Sequence, residues 1–286
     1  MIFETHAHYD DDAFNDDRDV VIGGLQAAGI ARAVNIGADM ASSRRSAELA
    51  RKYEFIYAAV GVHPDNAGEL VQYDGPVNDE GETERMTADP EKNLSELREM
   101  AKAAKVIAIG EIGLDYHWDV YPREVQKEAF IKQWELATEL GLPIEIHSRD
   151  AAEDTMNIVR EMYAREQKAG RELRADMHCY SYSPEQAEEY VKMGLYFGIG
   201  GVLTFKNAKK LREVVELVPA EKLLLETDCP YLAPEPHRGQ RNNSAYLHSV
   251  AAEIARIKGL SEAEVEDMTY ANACRFFAII DQRERT

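Results

Sequence analysis

Two histidines near the start of the chain are spaced to bind one divalent metal ion. His6 and His8 are separated by one residue in the apolar stretch that opens the sequence. Because side chains alternate across a β-strand, residues i and i+2 point to the same side. Imidazoles are common ligands of divalent metals. The His-x-His pair therefore predicts a metal site at the end of a first strand.

Four further residues of metal-ligand type follow later apolar runs, namely Glu111, His147, His178 and Asp228. A single histidine at a strand end is weak evidence of a site, but the combination of six donors is specific. Two divalent ions held about 4 Å apart can activate a bridging water and stabilise the entering and leaving oxygens of a displacement. Mixed imidazole and carboxylate ligands suit zinc or manganese, while phosphodiester substrates often accompany magnesium. The sequence predicts a divalent metal centre and leaves the identity of the metal open among these three.

The elements that position these donors are eight apolar runs separated by stretches with helical periodicity. The runs are 2–6, 31–37, 56–63, 106–114, 143–148, 175–179, 194–200 and 222–228. Strands that alternate with helices in this way predict a single-domain α/β protein, a (β/α)8 TIM barrel over residues 1–286, with its site at the carboxyl ends of the strands. A doubly wound open sheet would not bring groups from runs one, four, five, six and eight to one centre.

Composition excludes several classes of function. The chain has 286 residues, of which 52 are acidic and 33 basic, for a formal net charge of -19. Such a chain lacks the broad basic surface that binds duplex nucleic acid tightly. It also lacks a run of about 20 apolar residues that would span a membrane. We expect a cytoplasmic protein with no membrane role and no obligate protein partner.

An acidic stretch lies between the third and fourth runs. Residues 66–93 contain eight acidic and two basic residues, together with glycine and proline. This composition predicts an inserted, solvated loop.

Three cysteines are too few and too scattered for a disulfide framework. Cys179 and Cys229 directly follow proposed ligands. By strand alternation we expect their thiols to face away from the ligands.

Seven motifs give the chain a resemblance to the TatD family of metal-dependent deoxyribonucleases, within the amidohydrolase superfamily. They are Glu-Thr-His-Ala-His at 4–8, Gly-Val-His-Pro at 61–64, Ile-Gly-Glu-Ile-Gly-Leu-Asp-Tyr at 109–116, Ile-His-Ser-Arg-Asp-Ala at 146–151, His-Cys-Tyr-Ser at 178–181, Glu-Thr-Asp-Cys-Pro-Tyr-Leu at 226–232 and Pro-His-Arg-Gly-Gln-Arg-Asn at 236–242. The resemblance implies a binuclear site and hydrolysis of phosphodiester bonds, often exonucleolytic. Its implied substrate is DNA, which we expect to be single-stranded.

The resemblance also implies a division of the ligands between two ions. One ion takes His6, His8 and Asp228, the other takes His147 and His178, and Glu111 bridges them. We assign catalysis to Asp228, which would orient and deprotonate the water, and to Glu111.

Other residues near the strand ends are candidates for supporting roles. His63 follows the third run, where the resemblance favours a phosphate contact. Arg149, Arg238 and Arg241 follow the fifth and eighth runs, where a guanidinium could bind phosphate or simply pair with surface acids. Strand alternation places four acids on the barrel interior. Of these, Glu4 and Glu226 are expected to orient ligands, whereas the roles of Glu145 and Asp176 stay open.

Two alternatives remain open. The first is an amidohydrolase or lactonase that cleaves a C–N or ester bond of a small molecule. Such relatives often bridge their metals with a carboxylated lysine at the end of strand four, a position held here by Glu111, while Lys105 precedes the strand. The second alternative is a metal-binding scaffold without hydrolytic activity.

Overall fold

A computed structural model of the protein describes residues 1–75 and 89–281. Its eight parallel strands follow one another in chain order around a closed barrel, which confirms the predicted (β/α)8 TIM barrel. The strands are β1 (Ile2–Ala7), β2 (Ile30–Ile36), β3 (Ile56–Val60), β4 (Val106–Asp115), β5 (Ile144–Arg149), β6 (Ala175–Met177), β7 (Tyr196–Ile199) and β8 (Leu223–Leu225).

Helices follow the strands through the described part of the chain. They are α1 (Arg18–Leu25), α2 (Met40–Lys52), α3 (Pro90–Ala101), α4 (Arg123–Leu140), α5 (Ala152–Lys168), α6 (Pro184–Lys192), α7 (Lys209–Leu217), α8 (Leu247–Lys258) and α9 (Glu262–Phe276). Helix α4 ends at Gly141, whose φ of 67° is the left-handed conformation that favours glycine. None of the helices in the described residues is long and apolar enough to cross a membrane.

The chain divides into two compact units. The first comprises Met1–Asn35 and Asp176–Thr286. In this unit α9 packs on β1 through aromatic side chains. The Phe3 ring centroid lies 5.8 Å from that of Tyr270 and 5.6 Å from that of Phe277. Burying these large apolar rings stabilises the seam between the first strand and the last helix.

The second unit comprises Ile36–Ala175. All ten residues of β4 are buried, as expected for a strand covered on both faces. Two fully buried glutamines of α4, Gln126 and Gln133, bind the backbone at the carboxyl ends of β4 and β3. Gln126 accepts the N–H of Asp115 at 2.9 Å and donates to its carbonyl oxygen at 3.1 Å. Gln133 pairs in the same way with Val62, at 2.7 and 2.9 Å. Because positions seven apart share one helix face, α4 fixes the carboxyl ends of both strands.

Several strands end earlier than the sequence predicts. The third, sixth and eighth strands stop at Val60, Met177 and Leu225, so His63, His178 and Asp228 lie just beyond them. His6, Glu111 and His147 lie within their strands. Beyond the sixth and eighth strands the backbone leaves the extended region, since Cys179 and Asp228 have φ values of 45° and 55°.

The two ends of the range assigned to the acidic loop lie in or beside regular structure. Residues Pro64–Glu69 form a 3-10 helix, and α3 begins at Pro90. The central part of the predicted loop, 76–88, lies outside the described residues.

Candidate metal centre

The first donor group belongs to the unit that contains β1. The Nε2 atoms of His6 and His8 are 3.2 Å apart, as the alternation along β1 predicts. Asp228 places Oδ1 3.4 Å from His8 Nε2. One donor atom from each of these residues lies within 4.8 Å of the others. Two imidazoles and a carboxylate at such distances fit a single divalent ion.

The backbone that follows β8 is held against β1 by the buried side chain of Glu4. Glu4 accepts the N–H and the hydroxyl of Thr227 at 2.9 and 2.7 Å, and the N–H of His6 at 3.1 Å. The N–H of Asp228 donates to the carbonyl oxygen of His6 at 2.9 Å. Glu4 therefore acts on these donors through the backbone that carries them.

His178 is oriented by a second buried carboxylate. Its Nδ1 lies 3.1 Å from Oε2 of Glu226, which is fully buried. Oε1 of Glu226 accepts the N–H of Cys179 at 2.7 Å. A carboxylate beside Nδ1 holds the proton there and leaves the lone pair on Nε2, the form that binds a metal. The ring stacks on that of His6, with centroids 3.5 Å apart.

A glycine on β7 makes room for this carboxylate. A Cβ built on Gly198 would lie 1.9 Å from Oε2 of Glu226. Any side chain at this position would displace the carboxylate, so the position of the Glu226 carboxylate depends on glycine here.

The expectation that Cys179 faces away from the ligands is wrong. Its Sγ and donor atoms of His178 and Asp228 all lie within 4.8 Å of one another. Strand alternation does not apply, because β6 has already ended and Cys179 is in the left-handed conformation.

The second donor group belongs to the other unit. Nδ1 of His147 lies 3.3 Å from Oε2 of Glu111, and Nε2 lies 3.0 Å from Oδ2 of Asp115. Burial acts to raise the pKa of Asp115, but hydrogen bonds from His147 and from the N–H of Trp118 outweigh it and hold the pKa at about 2. An ionised Asp115 accepts the Nε2 proton, which turns the Nδ1 lone pair toward the Glu111 carboxylate. A cation beside Nδ1 and the Glu111 carboxylate would satisfy both groups, so these residues fit a metal-binding role.

His63 lies beside the second donor group. Its Nδ1 accepts the N–H of Asp65 at 3.2 Å, which favours a proton on Nε2. A donor atom of His63 also lies within 4.8 Å of donor atoms of Glu111 and His147, so a metal contact and a substrate contact are both open to it. His63 also stands close to His147, with ring centroids 4.2 Å apart.

The three arginines have different surroundings. Arg241 takes the surface pairing that its sequence position left open, since its guanidinium donates to both oxygens of Asp17, at 2.8 and 2.6 Å. Arg238 packs over the Phe205 ring at 3.6 Å, and Arg149 lies 5.7 Å from the centroid of the Trp118 indole ring. Among residues 1–75 and 89–281, neither Arg238 nor Arg149 has a carboxylate partner.

Three further acidic residues, Asp115, Glu145 and Asp176, lie near the proposed ligands in sequence. Asp115 enters the sequence analysis only as part of the 109–116 motif, although it orients His147. A signal was available, since a carboxylate near a ligand histidine is a common pairing. Glu145 and Asp176 are 1% and 2% exposed, as their predicted interior positions require.

In each unit, imidazole and carboxylate donors lie at strand ends of the parallel barrel, an arrangement typical of metal-dependent hydrolases. Comparison with known proteins then gives the family. The family model described as TatD related DNase matches residues 3–278, and the chain belongs to this family.

Relatives of known name cover nearly the whole chain. An uncharacterized metal-dependent hydrolase of Bacillus subtilis (strain 168), YabD, is 40% identical over 98% of this chain and 100% of its own length. A protein of Cronobacter sakazakii named 3'-5' ssDNA/RNA exonuclease TatD is 32% identical over 96% of this chain and 97% of its own. The solved structure of YJJV, a TatD homologue from Escherichia coli K12, is 27% identical, with a TM-score of 0.82 and 98% of each chain covered.

Proposed function

We propose that this hydrolase cleaves phosphodiester bonds of single-stranded DNA from a strand end. The observation that carries the proposal is the donor group of His6, His8 and Asp228, whose donor atoms lie within 4.8 Å of one another. Support comes from a relative, 32% identical, that is named a 3'-5' ssDNA/RNA exonuclease.

The donor sets determine what the chain could hold. A divalent ion bound by such ligands supplies Lewis-acid stabilisation of phosphoryl oxygens and lowers the pKa of its bound water. His6, His8 and Asp228 would hold one ion. A second ion on His147 and His178, with Glu111 as the bridge, stays a prediction of the family resemblance. Measuring bound metal per chain tests it.

The chain's own groups would handle the proton and the substrate. The side chain of Asp228 is 20% exposed against 11% for His8, so its carboxylate is open to an attacking water and can accept the water's proton. The Nε2–H of His63 would donate to a phosphate oxygen. Arg149 and Arg238, which lack carboxylate partners among the described residues, would attract the strand by charge.

One observation disfavours the amidohydrolase or lactonase alternative. Lys105 precedes β4 and donates to the backbone carbonyl oxygens of Ala50, Tyr53 and Glu54. An ammonium group committed to three carbonyls is not placed to become a metal-bridging carbamate, and β4 instead offers Glu111.

Hydrolysis of labelled strands tests the proposal. Metal-stripped protein is given magnesium, manganese or zinc and then single-stranded DNA or RNA labelled at the 5′ or 3′ end. We expect metal-dependent shortening whose ladder shows the direction of attack. Asp228→Asn should abolish it, while Asp267→Asn, an exposed residue on α9, should retain it. Absence of cleavage with every metal, in protein that binds the ions, would contradict the proposal and favour small-molecule esters or amides.

A further inference from the structure

An exposed tryptophan stands on the loop that follows β4. The chain has two tryptophans. Trp134 is fully buried in α4, whereas Trp118 is 59% exposed. A single exposed aromatic residue is common on protein surfaces. Two features of this one point to a ligand, namely the rigidity of its loop and the cation beside it.

The loop is fixed by hydrogen bonds. Oδ1 of Asp115 accepts the backbone N–H groups of His117 and Trp118 at 2.8 and 3.0 Å. The hydroxyl of Tyr116 donates to Asp154 at 2.7 Å. The indole is therefore presented on an ordered backbone, which lowers the entropy lost when a ligand stacks on it.

A guanidinium lies over one face of the indole, which leaves the other face for a base. Asp115 and Arg149 are register partners on β4 and β5, so the two strands deliver the loop and Arg149 to the same place. The guanidinium lies 5.7 Å from the indole centroid. Arg149 is exposed and has no carboxylate partner within the described parts of the chain, in a protein that has 52 acidic residues. By contrast, Arg241 is committed to Asp17.

We infer that Trp118 and Arg149 form a binding platform for an unpaired nucleobase and its adjoining phosphate. The inference rests on the proposed function and specifies how the strand is held. An indole face stacks on any base, and a guanidinium pairs with the backbone phosphate. A base in a duplex is already stacked and paired, so the platform selects single strands. The ligand is therefore a single-stranded nucleic acid of any sequence.

The platform is joined to the candidate metal centre through one side chain. Asp115 holds the Trp118 loop with Oδ1 and His147 with Oδ2. A base stacked on Trp118 would thus lie in a fixed relation to a proposed metal ligand. Trp118 acts here as a positioning residue for the strand, outside the chemical step.

Binding measured without hydrolysis tests the platform. Metal-stripped protein in chelator is titrated into labelled deoxythymidine decamer, and into the same decamer with abasic sites, with anisotropy as the readout. Trp118→Ala should weaken binding of the decamer by about tenfold or more, and Trp118→Phe should restore most of it. Trp118→Ala and the wild-type protein should bind the abasic decamer equally. Equal binding of the decamer by Trp118→Ala and wild type would overturn the inference.

Salt dependence tests the arginine separately. Loss of one phosphate contact to a single strand lowers the slope of log affinity against log salt by about 0.7. Arg149→Ala should show this loss. Arg98→Ala, a matched control whose guanidinium pairs with Glu139, should show none. An unchanged slope for Arg149→Ala would remove Arg149 from the platform.

The two proposals fail in different ways. If strands are hydrolysed but Trp118→Ala leaves the decamer affinity and KM unchanged, the platform is wrong and the proposed function stands. If no metal supports hydrolysis but Trp118→Ala still weakens binding, the platform stands and the proposed function falls.

Discussion

Replacing Glu226 with glutamine tests whether this buried carboxylate orients His178. The carboxylate uses one oxygen for the N–H of Cys179 and the other for Nδ1 of His178. An amide has only one acceptor oxygen. If that oxygen stays on Cys179, the amide N–H₂ faces His178 and forces its proton to Nε2, which removes the lone pair needed for metal binding.

The expected magnitude follows from burial. Glu226 is fully buried, so no water replaces the lost acceptor. One unsatisfied buried donor costs about 1–3 kcal/mol. Loss of a group that orients a metal ligand typically lowers metal affinity or activity by about 10- to 100-fold. We therefore expect Glu226→Gln to weaken binding of the ion at His178 by a factor in this range.

Calorimetric titration of zinc or manganese into metal-stripped protein measures the effect. The thermal melt of the metal-free variant separates a local change from unfolding. Metal affinity within about threefold of wild type, in a variant with an unchanged melt, would refute the argument that Glu226 sets the tautomer of His178.

Further variants probe other parts of the structure. Gly198→Ala should lower metal affinity as Glu226→Gln does, because its Cβ would displace the carboxylate, whereas Gly24→Ala in α1, with nothing within 4 Å of the new Cβ, should bind metal normally in the same titration. Asp115→Asn should weaken metal binding about tenfold or more through His147, and an unchanged affinity would contradict that role. Arg241→Ala should leave the KM for single strands within about twofold, since its guanidinium already pairs with Asp17; a large rise in KM would show that the ion pair opens for substrate. The Arg171 ion pair lowers the pKa of buried Glu166 below its ordinary value of 4.5, so the stability it contributes is present above about pH 4.5 and is lost as pH falls further. Glu166→Gln should therefore melt below wild type at pH 7, and melts across pH 3–7 should show the difference shrinking in acid.

Much of the site could be placed from sequence because it depends on local periodicity. A period of two puts His6 and His8 on one side of β1, and their Nε2 atoms are 3.2 Å apart. The alternation of strands and helices predicts a barrel whose carboxyl ends carry the later donors. Both predictions use only residues that are near one another in sequence. Both hold even where a predicted strand is a few residues too long.

The side chains that orient the donors depend on register, which local periodicity does not set. Asp115 reaches His147 because Gly113 pairs with His147 across β4 and β5, and because Gln126 pins the end of β4. Arg241 meets a partner 224 residues away in sequence. Such pairings follow from the packing of whole elements, so the sequence could not decide between a phosphate contact and an ion pair for Arg241.

The two oxygens of Asp115 have a thermodynamic consequence. One oxygen holds a proposed metal ligand and the other holds the loop that carries Trp118. An ion that fixes His147 would also fix the carboxylate that holds the loop, so strand binding on Trp118 would be tighter with the ion present. Linkage then requires the reciprocal effect, in which a bound strand raises the affinity for metal by the same factor. The strand-bound protein would accordingly bind metal more tightly than the free protein.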